Sequence, residues 1–171
     1  KYVYVGIDSH KDTHCAVILN CFFEKLGEIT FGNAPSEFEG FLSEVQKFKL
    51  KGTKLAFGLE DVSAYGRSLT VFLTSRKQVV KHVNAALVAS ERKSRNILHK
   101  TDSEDAECAA RVLLSRFDTL PDAEPQDKYW VLNNLVTRRR SIVNANTALK
   151  NHLHAFITSH YPSYHKFFVH I

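Results

Sequence analysis

Methionine is absent from this chain, and cysteine, proline and glycine are scarce, at three, four and seven among 171 residues. No apolar run approaches the ~20 residues of a membrane-spanning helix, so no membrane span is expected. Cys15, Cys21 and Cys108 are odd in number and form no CxxC pair, which argues against a zinc site or a disulfide scaffold. They suit a reducing cytoplasm. Residues 1–8 alternate as a strand does and do not resemble a signal peptide. A chain that starts at Lys1 and lacks methionine is expected to be a piece of something longer. Glycine is also missing from the stretch SHKDT at 9–13, just after the first aspartate, where an actin-like ATPase needs it for its phosphate loop. That class is therefore discounted.

What is present is ordinary for a globular protein: 44% hydrophobic and 24% charged residues, enough for one core with an appended helical arm. Lys and Arg outnumber Asp and Glu by 23 to 18, an excess compatible with a nucleic-acid partner but too common to decide for one.

Hydrophobic alternation predicts strands at 2–8, 13–19 and 27–32, a three-stranded meander. A helix start is expected at Asn33 to Ser36, with Pro35 near the first turn and Phe38, Phe41, Leu42 and Val45 on one face. A fourth strand at 54–60, a helix from Tyr65 to Ser75, a fifth strand at 78–83 and a helix from Ala85 to Asn96 follow. Thr101 and Glu104 have capping-box spacing at the head of a helix running to Arg116. Two of the four prolines fall in 118–127, read as a linker between a domain at 1–117 and an arm at 128–171. In the arm, Leu135, Ile142, Leu149 and Phe156 recur every seven residues, with Leu132, Arg139, Asn146 and Leu153 on the complementary seam of a coiled coil. The order β-β-β-α-β-α-β-α is that of an RNase H-like α/β fold: a mixed five-stranded sheet flanked by helices, here followed by the long coiled-coil helix.

Four carboxylates fall at element ends in this order. Asp8 closes the first strand, Glu60 the fourth, and Asp102 and Asp105 lie three apart at a helix start, where they share a face. Four carboxylates drawn together repel unless a cation offsets them, and a pair of Mg²⁺ ions roughly 4 Å apart would do so. Each also has a plain structural explanation, as a turn residue, a solvated strand end or a charge suited to the helix dipole. Lys11 and Lys100 flank two of the carboxylates and suit phosphate contacts, although surface lysine is commoner. Arg138, Arg139 and Arg140 are read either as a grip on nucleic-acid backbone or as a solvated helix face. His10 and His14 are assigned structural roles, and His152 and His154 are spaced wrongly for a shared metal.

The motifs together resemble the DEDD-type insertion-sequence transposases, the IS-one-ten family, whose N-terminal domain is RuvC-like. The resemblance rests on Gly6-Ile7-Asp8 with Ser9-His10-Lys11, on Leu59-Glu60 followed by a short turn to Tyr65-Gly66, and on Lys100-Thr101-Asp102-Ser103-Glu104-Asp105-Ala106. The Arg-rich arm from Leu135 to Leu153 completes it. One departure is the turn after Glu60, Val62-Ser63-Ala64, where such proteins are usually Thr-Gly-rich. The resemblance implies DNA strand cleavage and exchange in transposition, with Asp8, Glu60, Asp102 and Asp105 as catalytic ligands of Mg²⁺, or Mn²⁺ as a substitute. It further implies DNA and an element-encoded guide RNA as partners, a homo-oligomer through the arm, and a bacterial or archaeal, nucleoid-associated protein. A C-terminal domain with a nucleophilic serine would follow Ile171, so no strand transfer is expected of this segment alone. The alternatives are a RuvC-like Holliday-junction nuclease and a non-catalytic RNase H-like module for nucleic-acid binding or dimerisation.

Overall fold

The computed structural model describes residues 2–96, 101–125 and 128–166. They form two compact units, Lys1–Pro125 and Gln126–Ile171. In the first, strands β1 (Tyr2–Ser9), β2 (Thr13–Leu19), β3 (Lys25–Gly32), β4 (Lys54–Leu59) and β5 (Val79–His82) form one sheet of order β3-β2-β1-β4-β5. The meander is antiparallel, whereas β1–β4 and β4–β5 are parallel. Helices α1 (Pro35–Gln46), α2 (Arg67–Ser75), α3 (Ala85–Ser94) and α4 (Asp102–Arg116) alternate with the later strands. This is the RNase H-like arrangement.

The alternation of each strand sorts its side chains between two layers. Val3, Val5 and Ile7 of β1 and Leu55, Phe57 and Leu59 of β4 face one side, where they are buried with Phe38, Phe41, Leu42 and Val45 of α1 and Leu69 and Leu73 of α2. Each such large side chain contributes roughly 1.5–3 kcal/mol on leaving water. The even-numbered positions face the other way. Tyr2, Tyr4 and Ala56 meet Cys108, Ala109, Val112 and Leu113 of α4, and Val88 of α3 joins them. Cys15, Val17 and Leu19 of β2 meet Ala106 and Ala110.

Helix α4 comes unusually near the sheet because two strand positions lack a side chain. A Cβ at Gly6 would stand 2.2 Å from both the Ala106 carbonyl oxygen and the Ala110 nitrogen. One at Gly58, the register partner of Gly6, would stand 2.9 Å from Val83 and 3.2 Å from Leu113. Small residues on both sides of the contact thus set the helix directly across β1, with β2 and, to a lesser extent, β4 beneath its flanks.

The Pro-containing segment after α4, read as a linker, runs along the β5 edge. His82 N–H donates to the Pro121 carbonyl at 3.0 Å, Ala123 N–H to the Val80 carbonyl at 2.9 Å, and Leu120 and Ala123 are buried. Lys81 Nζ lies 2.8 Å from Asp122 Oδ1. The open edge of the sheet is thereby covered, which guards it against pairing with another chain.

The second unit is chiefly helix α5 (Lys128–His160), 33 residues long, followed by a single 3₁₀ turn at Tyr164–Lys166. Its apolar seam is exposed: Leu132, Leu135, Ile142, Leu149, Leu153 and Phe156 all face solvent within this unit. No helix among the described residues is long and apolar enough to cross a membrane.

Candidate metal centre at the end of the sheet

The end of β1 and the start of α4 bring Asp8, Asp102 and Asp105 near one another. Asp8 lies two residues beyond Gly6 and continues the α4-facing row of β1, whereas Glu60 follows Leu59 at a bend just past the end of β4. Ile7 pairs with Leu59 at the last step of the parallel ladder, so Asp8 and Glu60 each follow that closing pair in sequence. Helix α4 starts over this same edge. Thr101 is its N-cap, accepting from the Glu104 N–H at 3.2 Å, and Asp102, Glu104 and Asp105 fill the first turn, where the helix dipole favours negative charge.

The closest approach involves a residue that sequence reasoning had given a structural role. His10 Nε2 stands 3.1 Å from Asp8 Oδ2 and 3.2 Å from Asp102 Oδ1. One donor atom from each of the three residues lies within 4.8 Å of the others. Asp8 is mostly shielded from solvent, whereas His10 and Asp102 are open to it. Burial, above all, raises the Asp8 pKa; His10 pulls it down, and repulsion from Asp105 and Asp102 adds to the rise. Those two carboxylates therefore sit near enough to be felt at Asp8.

Asp105 is the most buried of the four. Its Oδ1 accepts a hydrogen bond from Arg92 Nη1 of α3 at 2.5 Å. Glu60 is half-buried and engaged with its surroundings. The turn that follows it is built by Asp61, whose carboxylate accepts from the backbone N–H groups of Ser63, Ala64 and Tyr65 at 2.7–2.9 Å. Burial raises the Asp61 pKa, but these N–H donors outweigh it and leave the value lowered. The departure from a Thr-Gly-rich turn is thus met by an aspartate that organises the backbone through its side chain. Gly66 closes the turn where a Cβ would stand 1.9 Å from the Asp61 carbonyl.

Asn33 joins this turn to the loop after β1. Its Nδ2 donates to the carbonyls of His10, Lys11 and Tyr65 at 3.1–3.3 Å, and its backbone N–H to Asp12 at 2.9 Å. The sequence marked Asn33 only as a helix start; its tie between two loops depends on the folded meander and leaves no local signal.

Lys11 is exposed in the loop that carries His10, and Lys100 lies outside the described residues. Arg138, Arg139 and Arg140 are exposed on α5 in the second unit.

A cation-binding reading fits the donors present. Two carboxylate oxygens and an imidazole nitrogen converge, with further carboxylates adjacent, and hard divalent ions take such oxygen-rich sets.

A family model described as transposase, of the DEDD type and IS110 group, matches residues 5–162. No curated protein matches the chain. Among solved structures, RuvC of T. thermophilus in complex with a Holliday junction substrate is similar at 13% identity and a TM-score of 0.48, over 71% of this chain and 99% of that one.

Proposed function

Since the chain belongs to the DEDD transposase family, a family of DNA phosphoryl-transfer enzymes, we propose that Asp8, Glu60, Asp102 and Asp105 jointly hold the divalent cations its chemistry needs. The observation that carries this reading is the approach of Asp8 and Asp102 on either side of His10, at the edge where β1, β4 and α4 end or begin. Mg²⁺ is the proposed ion, because carboxylate oxygens suit it and it completes its shell with water and substrate phosphates. When bound, such ions activate the attacking oxygen and stabilise the leaving one.

The chain's own residues do the rest. Asp8 offers a shielded carboxylate at a rigid strand end, Asp102 an exposed one that substrate phosphate can reach, and Arg92 orients Asp105. Lys11 and Lys100 are proposed to meet phosphates beside the site, and Arg138, Arg139 and Arg140 to meet nucleic-acid backbone along the arm. DNA is the substrate. A guide RNA and self-association through α5 are part of the same proposal, the latter supported by the exposed heptad seam.

The test is a thermal melt of the chain with and without Mn²⁺ or Mg²⁺, wild type beside Asp8→Asn. The Asp8 pKa is raised on folding, so its stabilising contribution exists below the unfolded value and is lost as pH rises through the folded one. At neutral pH the ionised carboxylate is thus a cost, and Asp8→Asn raises the metal-free melting temperature. Metal raises the wild-type value and leaves the variant's unchanged. A full metal response in Asp8→Asn would overturn the assignment.

A further inference from the structure

Four carboxylates account for a hard-cation site without any help from nitrogen, yet an imidazole stands between two of them. Donors bound cis on an octahedral ion at 2.0–2.1 Å lie about 3 Å apart, by simple geometry from the usual bond length. His10 Nε2 is 3.1 Å from Asp8 Oδ2 and 3.2 Å from Asp102 Oδ1, which is that spacing. The backbone behind the ring is fixed as well, since the His10 carbonyl accepts from Asn33 Nδ2 at 3.3 Å and its N–H donates to the Thr13 carbonyl at 3.1 Å. His10 therefore presents its Nε2 edge to the carboxylates from an anchored turn.

We propose that His10 is itself a metal ligand, so that Asp8, His10 and Asp102 bind one ion through two oxygens and one nitrogen, and that this nitrogen biases the position toward a first-row transition dication over Mg²⁺. The inference rests on the carboxylate site proposed above. Its chemical basis is donor softness. Imidazole nitrogen suits transition ions, whereas Mg²⁺ prefers oxygen and gives up its waters reluctantly. Glu60 and Asp105 supply only oxygen, so a second ion held by them keeps the ordinary Mg²⁺ preference.

Mn²⁺ is the probe, since it is paramagnetic and tolerates both donor types. The full 171-residue chain is titrated with Mn²⁺, the free-ion EPR signal giving the bound fraction and pulsed EPR reading modulation from a directly bound nitrogen. Nitrogen modulation is expected in the wild type and is lost in His10→Ala. Mn²⁺ affinity falls about tenfold or more in that variant, as loss of a metal-site partner does, while Mg²⁺ affinity, read by competition, moves far less. Bound Mn²⁺ without nitrogen modulation in the wild type overturns the ligand role of His10 and leaves the carboxylate site standing. So does modulation that persists in His10→Ala, because another histidine would then be its source. An absence of any bound Mn²⁺, or binding unchanged in Asp8→Asn, overturns the carboxylate site and this inference with it.

Discussion

Asp105 Oδ1 and Arg92 Nη1 meet at 2.5 Å, joining the first turn of α4 to the last turn of α3 where the carboxylate is almost fully buried. The guanidinium sets a positive charge against the least accessible of the four carboxylates. Arg92→Met removes that charge but keeps much of the apolar stem, and is expected to cost about 1–3 kcal/mol, the range for a buried polar group losing a partner. Urea denaturation measures the loss. Added Mn²⁺ recovers part of it if Asp105 shares in metal binding; equal losses with and without the ion would separate Asp105 from the site.

Gly6→Ala adds one methyl group where backbone atoms of α4 already stand, with no flexible side chain to yield. Overpacking of this kind costs about 1–3 kcal/mol or more, and here relief requires α4 to lift from the sheet. Because Asp102 and Asp105 ride on that helix, metal affinity falls together with stability. Gly40→Ala, at an open position inside α1, is the control: it is expected to leave metal affinity unchanged and to raise stability by about 0.5–1 kcal/mol, as Ala does in place of a helical Gly.

His14 lies buried on β2 against the rings of Phe31 and Phe38. Burial is the main cause of its lowered pKa, with Asn33 and Asp61 opposing and His10 adding to the fall. The folded state thus binds the proton less readily than the unfolded one. The corresponding stability is complete above the unfolded value of about 6.5 and is lost as pH falls from there through the folded pKa. His14→Phe, which cannot be protonated, is expected to show a shallower drop in melting temperature between neutral pH and pH ~5.

The exposed seam of α5 makes a sharper demand. Ile142→Asp and Leu149→Asp place charges on the positions that would face a partner helix. Sedimentation of the wild type is expected to reveal a self-associating chain, and the double variant a monomer with unchanged helix content in its first unit. A wild type that sediments as a monomer at high concentration would remove the coiled coil from the reading.

Much of this was legible beforehand, because strand alternation and helix capping are local. The expected strand at 54–60 differs from β4 only in its last residue, Glu60, which bends away as the ladder ends. Thr101 caps α4 as its spacing implied. The parallel pairing of β1 with β4 followed from element order. What stayed hidden depends on depth and distance. Gly6 and Gly58 read as ordinary members of a strand until a helix is laid on them. Arg92 sits in a run of mixed charge, and nothing local tells which of its neighbours reaches Asp105. His10 looked like a turn residue because its second partner, Asp102, lies 92 positions away in the chain.

The parallel register of β1 with β4 has a consequence for when the protein becomes competent. The strand ends that carry Asp8 and Glu60 are paired only after a crossover of some fifty residues has closed, and Asp102 and Asp105 arrive only when α4 docks on the sheet. Contacts this distant in sequence form late, after the entropy of closing the intervening loops has been met. A partly folded or partly synthesised chain therefore lacks the packing that brings Asp102 to Asp8 and His10. Completion of the fold and assembly of the proposed metal site are expected to coincide, so that a nascent chain lacking α4 also lacks Asp102 and Asp105.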